Sequence, residues 1–407
     1  MADSAGLLAA LKFRDYRLLW IGLLISNLGS WMQFTAQGYL VAQIAGSPHQ
    51  AALDLGFLGA ARAIPVLLCS PIAGVVADTL PRRRVLLLTN TTMSLAALAL
   101  AVLATLDKLD LMWLLVISAI NAGANAFDSP VRQSWMPLLV ERAYLGNAIG
   151  LNSVAFNAPA VIGPAIAGIL IVWVGVAGSF YVNAVATLAV VVAVAMMHSS
   201  PPSRARREPM FAAMRGGVAF LFAHPILRWI VAGFVVVAIF ARPYAQLIPA
   251  YIVNVLHGDA RALGWAVAAA GIGGFGGALL TAAFAGREPR SIQWVIAGGV
   301  TALGLIALAL IHSVGWALPA LFAIGVGTLA FLGATNTLIQ TLAPEDVRGR
   351  AVAVYTMVAI GVVPLGTLLI GSIASVIGLH AAFALAGVIS LVCVVAAYAF
   401  NPIVRTV

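Results

Sequence analysis

The chain has 407 residues, of which 62% are hydrophobic and 9% charged, with a mean hydropathy of +1.05 and a formal net charge of +9. A soluble domain is usually about half apolar and a quarter charged, so this composition excludes a water-soluble globule. The apolar residues form blocks that can each cross about 30 Å of hydrocarbon with roughly 20 residues, without the strand-like alternation of membrane β-barrels. The composition therefore predicts an all-α, polytopic membrane protein.

Twelve apolar segments are long enough to span a membrane. They cover residues 18–45, 53–79, 84–106, 110–133, 146–172, 177–197, 227–256, 262–286, 291–312, 315–341, 350–376 and 379–400. Most connections are short, but the Pro/Ser/Arg-rich residues 198–226 are predicted to be a basic cytoplasmic linker. This linker divides the chain into an N-terminal six-helix bundle, residues 1–197, and a C-terminal six-helix bundle, residues 227–407.

Basic residues accumulate on one side of this predicted topology. All but four of the 22 lysines and arginines fall on the side of the N-terminus, namely Lys12, Arg14, Arg17, Arg82, Arg83, Arg84, Arg132, Arg142, Arg204, Arg206, Arg207, Arg215, Arg228, Arg287, Arg290, Arg348, Arg350 and Arg405. By the positive-inside rule that side is cytoplasmic, which predicts a cell (inner) membrane protein with both termini in the cytoplasm. The net charge is then a topology signal, and no nucleic-acid partner is expected.

The first span carries several polar and aromatic residues. Asn27, Trp31 and Thr35 share one helix face at a spacing of four, whereas Gln33 and Gln37 point elsewhere. We predict that Asn27, Trp31 and Thr35 line a substrate cavity. Hydrogen bonding between helices, which membrane bundles use routinely, is the alternative for all of these residues.

Two arginines lie inside spans. Arg62 in the second span and Arg242 in the seventh are costly near mid-membrane, where a charge usually faces a protein interior or a watery cavity. Two cations that face a cavity would favour an acidic substrate. The alternative for Arg62 is capping of backbone carbonyls or snorkelling outward. Asp54 begins the second span from the outer side, and a partly desolvated carboxylate there is a candidate proton carrier.

The second span ends in the charged stretch GVVADTLPRRR, residues 74–84. Asp78 follows Gly74 by one helical turn, and glycine permits close approach of a neighbouring helix. A carboxylate there can face the positive end of a helix N-terminus, an attraction of about 0.3–1 kcal/mol when exposed and up to about 2 kcal/mol when partly buried. Gly74, Asp78, Arg82 and Arg83 are predicted to form a gate, and Asp78 is a second candidate proton carrier. Retention of topology is the alternative for the arginines.

The fourth and tenth spans end alike. Gln133 precedes Pro137 by the same spacing that separates Gln340 from Pro344. Asp128 and Arg132, four residues apart, are predicted to pair, and Arg132 is a further gate candidate. The gate prediction also includes Arg348 and Arg350, and the cavity prediction includes Asn157, Asn336 and Gln340. For these amides too, hydrogen bonding between helices stays open.

Several motifs together resemble one known family. The stretch 74–84 resembles the motif Gly-x-x-x-Asp-(Arg/Lys)-x-Gly-(Arg/Lys)-(Arg/Lys) of the major facilitator superfamily, with Thr79 and Pro81 as departures. Gly163, Pro164 and Gly168 resemble its antiporter motif Gly-Pro-x-x-Gly, which is associated with export. Three further stretches resemble the branch of the enterobactin exporter and the transmembrane secretion effectors. They are the opening LKFRDYRLLWIGLLISNLGSWMQ, the stretch FDSPVRQSWMPLLVERAYLGNAIGLN and the stretch PEDVRGRAVAVY.

The resemblance covers essentially the whole chain and carries expectations about fold and function. It implies twelve helices in two pseudo-symmetric six-helix bundles, with Asp78 facing the helix that begins near Gly349. Together with the two arginines inside spans, it predicts a secondary active transporter that exports small, amphipathic or acidic molecules, drug-like or siderophore-like, by alternating access with proton antiport. The fourth span departs from many proton antiporters because residues 111–127 contain no basic side chain.

Other functions remain open at this point. An importer or facilitator of a small metabolite is the first alternative, and a non-transporting membrane scaffold is the second. An enzyme is not expected, because no nucleophile with a base and no set of metal ligands lies at membrane depth. No cofactor is predicted. The expected partners are a small-molecule substrate, protons and membrane lipids, and the chain is expected to be a monomer.

Overall fold

The structure is a computed structural model that describes residue 6 and residues 8–198, 210–284 and 290–401. Its α-helices are α1 (Arg14–Ile44), α2 (Pro48–Thr79), α3 (Arg82–Thr105), α4 (Leu111–Trp135), α5 (Leu145–Met196), α6 (Met210–Ala223), α7 (Leu227–Val236), α8 (Tyr244–Ala250), α9 (Ala260–Ala283), α10 (Arg290–Leu310), α11 (Val314–Leu342), α12 (Glu345–Met357), α13 (Val363–Ile377) and α14 (Leu379–Ala399). Within the described ranges no β-strand occurs. The predicted all-α class and its twelve spans are confirmed by these helices.

Two predicted spans meet at a kink within α5. The fifth and sixth spans both lie in α5, where Gly175 interrupts the helical backbone with a φ of 72°. Gly378 has a φ of 82° between α13 and α14, at the junction of the eleventh and twelfth spans. A left-handed φ favours glycine because it has no Cβ. Gly175 follows Gly163 on α5 by the same spacing with which Gly378 follows Gly366 on α13, and this matching pattern indicates an internal repeat of the two halves of the chain.

Two other spans are interrupted by π-helical turns. The seventh span consists of α7, a π-turn at Val237–Ala241, α8 and a second π-turn at Tyr251–Val255. The eleventh span consists of α12, a π-turn at Val358–Val362 and α13. A π-turn inserts one extra residue into a helix and is frequent at functional sites.

The chain divides into two compact units. The first contains Met1–Leu40 and Ala61–Arg207, and the second contains Val41–Ala60 and Glu208–Val407. The end of α1 and the beginning of α2 therefore belong to the second unit. The bundle boundaries at 197 and 227 stay a prediction. Of the predicted linker, residues 199–209 lie outside the described residues, while Met210–Ala223 forms α6.

Glycine positions bring helices into close contact inside the second unit. A Cβ at Gly273 would lie 2.0 Å from the carbonyl oxygen of Phe322, and a Cβ at Gly277 would lie 2.1 Å from that of Val326. From the other side, a Cβ at Gly325 would lie 2.1 Å from the carbonyl oxygen of Ala270. The glycine-rich stretch 271–277 is thus a packing seam between α9 and α11, as small residues are in membrane bundles.

Candidate functional site

A polar cavity of about 210 Å³ lies inside the first unit. Its walls come from α1, α2 and α4, and its lining residues are Gln33, Gln37, Arg62, Val66, Ser118, Asn121, Ala122 and Asn125. One guanidinium, four amides and one hydroxyl thus line a space among membrane-spanning helices. Polar groups at such a depth usually mark a substrate or ion pathway.

Arg62 is the charged group of this cavity. Its Nη2 donates a hydrogen bond to Oε1 of Gln37. Its Cζ lies 4.8 Å from the ring centroid of Phe34, within the range of a cation–π interaction. The Nε2 of Gln37 donates in turn to Oγ of Ser118 at 3.1 Å. The side chains of Gln37 and Ser118 are buried, so this relay from α2 through α1 to α4 fixes the position of the guanidinium.

The second amide of α1 in the cavity has a different partner. Oε1 of Gln33 accepts a hydrogen bond from Nδ2 of Asn183 at 2.7 Å, which ties α1 to the C-terminal half of α5. Asn121 and Asn125 on α4 complete the lining. They were not predicted from the sequence, although two asparagines at a spacing of four on an apolar helix were a visible signal for one polar face.

The structure places the predicted residues of the first span elsewhere. Nδ2 of Asn27 donates to the carbonyl oxygen of Ala155 on α5 at 2.9 Å. Oγ1 of Thr35 donates to the carbonyl oxygen of Trp31 in its own helix at 3.0 Å, and the Trp31 ring packs edge-on against Phe34 at 5.5 Å. The face of α1 that lines the described cavity therefore carries Gln33 and Gln37 instead of Asn27 and Thr35.

Asn157 makes a contact within its own helix. It is exposed on α5, and its Nδ2 donates to the carbonyl oxygen of Ser153 at 2.8 Å. It does not belong to the lining of the described cavity.

The antiporter-like motif lies where α5 meets α1. A Cβ at Gly163 would lie 2.7 Å from Cβ of Trp31 and 3.2 Å from the carbonyl oxygen of Leu28. Gly163, Pro164 and Gly168 are buried. The motif therefore permits close packing of α5 on the helix that contributes Gln33 and Gln37 to the cavity.

The same contact recurs in the second unit. A Cβ at Gly366 on α13 would lie 2.3 Å from the carbonyl oxygen of Ile239 in the seventh span. Gly366 is the counterpart of Gly163 in the internal repeat. The repeat is thus preserved at the level of helix contacts.

Arg242 occupies a junction between two π-turns of the second unit. It follows the π-turn of the seventh span directly, and its Nη1 donates to the carbonyl oxygen of Ala359 in the π-turn of the eleventh span. A π-turn disturbs the regular helical hydrogen bonds, so its carbonyl needs another donor. Arg242 thus caps the backbone carbonyl of Ala359. Such capping is the alternative role that the sequence predicts for Arg62.

Asn336 and Gln340 pair with each other on α11. Nε2 of Gln340 donates to Oδ1 of Asn336 at 3.1 Å, and the equivalent Gln133 on α4 donates to Oγ of Ser129 at 3.0 Å. Both glutamines are exposed near the ends of their helices. The pairing of each glutamine with the residue four positions earlier extends the internal repeat.

The predicted gate is described only in part. A Cβ at Gly74 would meet no atom of the described residues within 4 Å, so this part of the chain makes no close helix contact at this glycine. The side chain of Asp78 lies outside the described part of the chain. Arg82 is buried and donates through Nε to Oγ of Ser134 at 3.3 Å, while Nη2 of Arg83 donates to the carbonyl oxygen of Ala195 at 2.6 Å.

Asp128 and Arg132 form the predicted ion pair, with 3.1 Å between Oδ2 and Nε. Oδ1 of Asp128 also accepts from Nδ2 of Asn90 at 2.6 Å and from Oγ1 of Thr89 at 3.3 Å. The guanidinium of Arg132 lies 4.6 Å from the ring centroid of Phe156. Both charges are buried, and this network joins α3, α4 and α5 inside the first unit.

The two arginines at the start of α12 have structural contacts. Nε of Arg348 donates to the carbonyl oxygen of Ala343 at 3.3 Å. A Cβ at Gly217 of α6 would lie 2.6 Å from the carbonyl oxygen of Arg350, so α6 packs tightly on α12. The gate role of Arg348 and Arg350 stays a prediction.

Asp54 is a buried carboxylate of the second unit, with 4% of its surface exposed. Its Oδ1 accepts from Nε2 of Gln50 at 2.7 Å, one turn earlier on α2. The neighbouring part of α2 packs on α13, because a Cβ at Gly56 would lie 3.3 Å from Cα of Leu368. A carboxylate in such surroundings can change its protonation state when its environment changes.

Comparison with known proteins identifies the family. A family model described as transmembrane secretion effector matches residues 5–405. The multidrug efflux pump Tap of Mycolicibacterium fortuitum is 30% identical over 380 residues, which cover 90% of this chain and 90% of that protein. The enterobactin exporter EntS of Citrobacter koseri is 23% identical over 364 residues, which cover 88% of this chain and 85% of that protein.

A solved structure of a POT family transporter has a TM-score of 0.72 with this chain at 13% identity, and the match covers 97% of both chains. This likeness supports the fold alone, whereas the family match covers nearly the whole sequence. The chain therefore belongs to the transmembrane secretion effector family, and it is a membrane transporter of the major facilitator type.

Proposed function

We propose that this transporter exports small, amphipathic or acidic molecules by alternating access, with proton antiport as the driving reaction. The observation that carries the proposal is the cavity of the first unit, in which Arg62 is held by Gln37 among amide side chains. Export is supported by the names of two relatives, one a multidrug efflux pump and the other an enterobactin exporter.

The substrate class follows from the chemistry of the lining. A guanidinium offers several N–H donors in a planar fork that matches a carboxylate. The amides of Gln33, Gln37, Asn121 and Asn125 can each donate and accept, so they suit ligands of varied shape. None of the residues that line this cavity is acidic. An acidic group at Arg62 and an apolar portion beside Val66 and Ala122 would complement these walls.

We assign the proton-carrying role to the carboxylate of an aspartate side chain. Asp54 is buried and accepts a hydrogen bond from the amide of Gln50. Loss of that hydrogen bond during the transport cycle would favour protonation of the Asp54 carboxylate, and its return would favour release of the proton. Asp78 is the second candidate, and together with Gly74, Arg82, Arg83 and Arg132 it is proposed to act in a cytoplasmic gate.

The proposal includes a setting in the membrane. Export to the outside requires a cell (inner) membrane location, with both termini in the cytoplasm as the distribution of basic residues indicates. The transporter is proposed to work as a monomer in contact with membrane lipids.

Inside-out vesicles that contain the full chain test this function. An acidic interior is imposed, and matched panels of acidic, neutral and cationic compounds are added outside. We expect acidic and amphipathic compounds to cause proton leakage, and we expect Arg62→Gln to weaken the response to acidic compounds most. A response to cations alone would contradict the assigned substrate class. Folded protein in tight vesicles that responds to none of the compounds would contradict proton antiport of these compounds.

A further inference from the structure

A second, apolar groove of about 460 Å³ lies in the second unit, apart from the polar cavity. It opens between the last turns of α9 and the first half of α10, with α11 as its floor. Its hydrocarbon walls include Leu280, Phe284, Ile292, Ile296, Val300 and Ala330. The glycine seam of residues 271–277 holds α9 and α11 together, and the groove begins where that seam ends.

The polar side chains in the groove wall are already engaged. Oγ1 of Thr281 donates to the carbonyl oxygen of Gly277 at 3.0 Å. Nε2 of Gln293 donates to the carbonyl oxygen of Phe284 at 2.8 Å, which bridges the ends of α9 and α10. A water molecule in a cavity needs two to four polar partners, so this groove is poorly suited to water. Hydrocarbon is the filling that its walls favour.

The groove is accessible from the surrounding bilayer. The helices α9, α10 and α11 are each long and apolar enough to cross a membrane. Leu280 and Ile296 on the rim are 46% and 59% exposed. An empty apolar space would deprive its walls of dispersion contacts, and lipid tails are the abundant apolar molecules at this surface. An acyl chain can enter from the side and restore those contacts.

A basic residue precedes the groove-lining part of α10 in the sequence, although it is not itself one of the lining residues. Arg290 is the first residue of α10 and precedes the wall residue Ile292 by half a turn. The distribution of basic residues places this end on the cytoplasmic side, where the membrane surface carries anionic lipids. A phosphate headgroup near Arg290 would leave its acyl chain pointing along the groove.

We propose that the groove between α9, α10 and α11 is a binding site for an anionic phospholipid of the cytoplasmic leaflet. One acyl chain occupies the apolar walls, and the phosphate lies near Arg290. The site is separate from the polar cavity around Arg62, and its ligand is a resident lipid rather than a transported molecule.

Photo-crosslinking of the full chain in vesicles tests this proposal. The probes are phosphatidylglycerol and phosphatidylcholine, each with a diazirine on one acyl chain, and the labelled residues are mapped by mass spectrometry. We expect labelling of Ile296, Val300 and Ala330 above that of Leu303, which is exposed on α10 outside the groove. We also expect phosphatidylglycerol to label the groove more strongly than phosphatidylcholine.

Four variants separate the parts of the proposal. Ala330→Phe fills the groove floor and should reduce its labelling to the level of Leu303, and Ala330→Leu provides the same test with a smaller side chain. Ala278→Phe, on an exposed part of α9 outside the groove, should leave the labelling unchanged. Arg290→Gln should remove the preference for phosphatidylglycerol while acyl labelling persists.

Three results would overturn the site. The first is equal labelling of Leu303 and the groove, and the second is labelling that persists in folded Ala330→Phe and Ala330→Leu. The third is complete displacement of both lipid probes by a compound that the transporter moves, since this would make the groove a path for substrate. Equal labelling by the two probes in the wild-type chain would overturn the assigned anionic headgroup.

Discussion

Replacement of Gln37 by glutamate adds a negative charge beside Arg62 in the polar cavity without a large change in side-chain shape. In the wild-type chain the Oε1 of Gln37 accepts from Arg62, while its Nε2 donates to Ser118 at 3.1 Å. In Gln37→Glu the carboxylate pairs with the guanidinium and competes with any acidic group of a substrate. The neutral hydrogen bond to Ser118 changes direction, because the hydroxyl becomes the donor.

The expected magnitude follows from the contact that the substrate loses. A hydrogen bond to a charged group contributes about 1.5–3 kcal/mol. Because about 1.4 kcal/mol corresponds to tenfold in an equilibrium constant, loss of one such contact lowers the preference for an acid over its neutral analogue by roughly tenfold to a hundredfold. The transport of the neutral analogue itself should change much less, since it makes no charged contact with Arg62.

Initial transport rates for an acidic compound and its methyl ester give this preference directly. The matched control is Gln133→Glu, which introduces the same charge at an exposed site near the end of α4. An acid-to-ester ratio that stays unchanged in folded Gln37→Glu would refute the role of Arg62 in substrate selection. An equal change in Gln133→Glu would show that a general charge effect, rather than the cavity, determines the ratio.

Three further predictions concern packing, coupling and pH. Gly277→Ala places a Cβ 2.1 Å from the carbonyl oxygen of Val326 and should destabilise the fold by about 1–3 kcal/mol in a thermal unfolding assay, whereas Gly276→Ala, which meets no atom within 4 Å, should not. Asp54→Asn should abolish compound-dependent proton leakage while compound binding persists, and undiminished leakage would eliminate Asp54 as the proton carrier. Burial lowers the pKa of His224 below its usual 6.5, so the stability that neutral His224 contributes is complete above about pH 6.5 and decreases as the pH falls below that value. Proteolysis between α6 and α7 should therefore accelerate in acid. A proteolysis rate that does not depend on pH would contradict this prediction.

The fold was predictable because hydrophobic blocks and basic loops encode membrane topology directly. The twelve spans appear as apolar runs, whereas the side of the membrane that the charge pattern predicts for each loop stays a prediction. The π-turns at Val237–Ala241 and Val358–Val362 were not predicted, because one inserted residue leaves an apolar run looking the same. The assignment of the first part of α2 to the second unit depends on tertiary contacts that the sequence pattern does not reveal.

The candidate site was only partly predictable. Arg62 was visible as a charge inside an apolar run, and the pairing of Asp128 with Arg132 followed from their spacing. The choice of face on α1 was different, because Asn27 with Thr35 and Gln33 with Gln37 are two polar faces of one helix. Only the contacts with neighbouring helices decide that Gln37 meets Arg62 while Asn27 meets the backbone of α5.

The direction of transport is tested most directly by accumulation of a labelled compound that elicits proton leakage. The compound is offered to inside-out and right-side-out vesicles that contain the full chain, each with an imposed proton gradient. Proton-coupled export predicts accumulation above the external concentration in inside-out vesicles with an acidic interior, and collapse of that accumulation when a protonophore is added. Uphill accumulation in right-side-out vesicles with an acidic exterior, and none in inside-out vesicles, would contradict export and establish uptake.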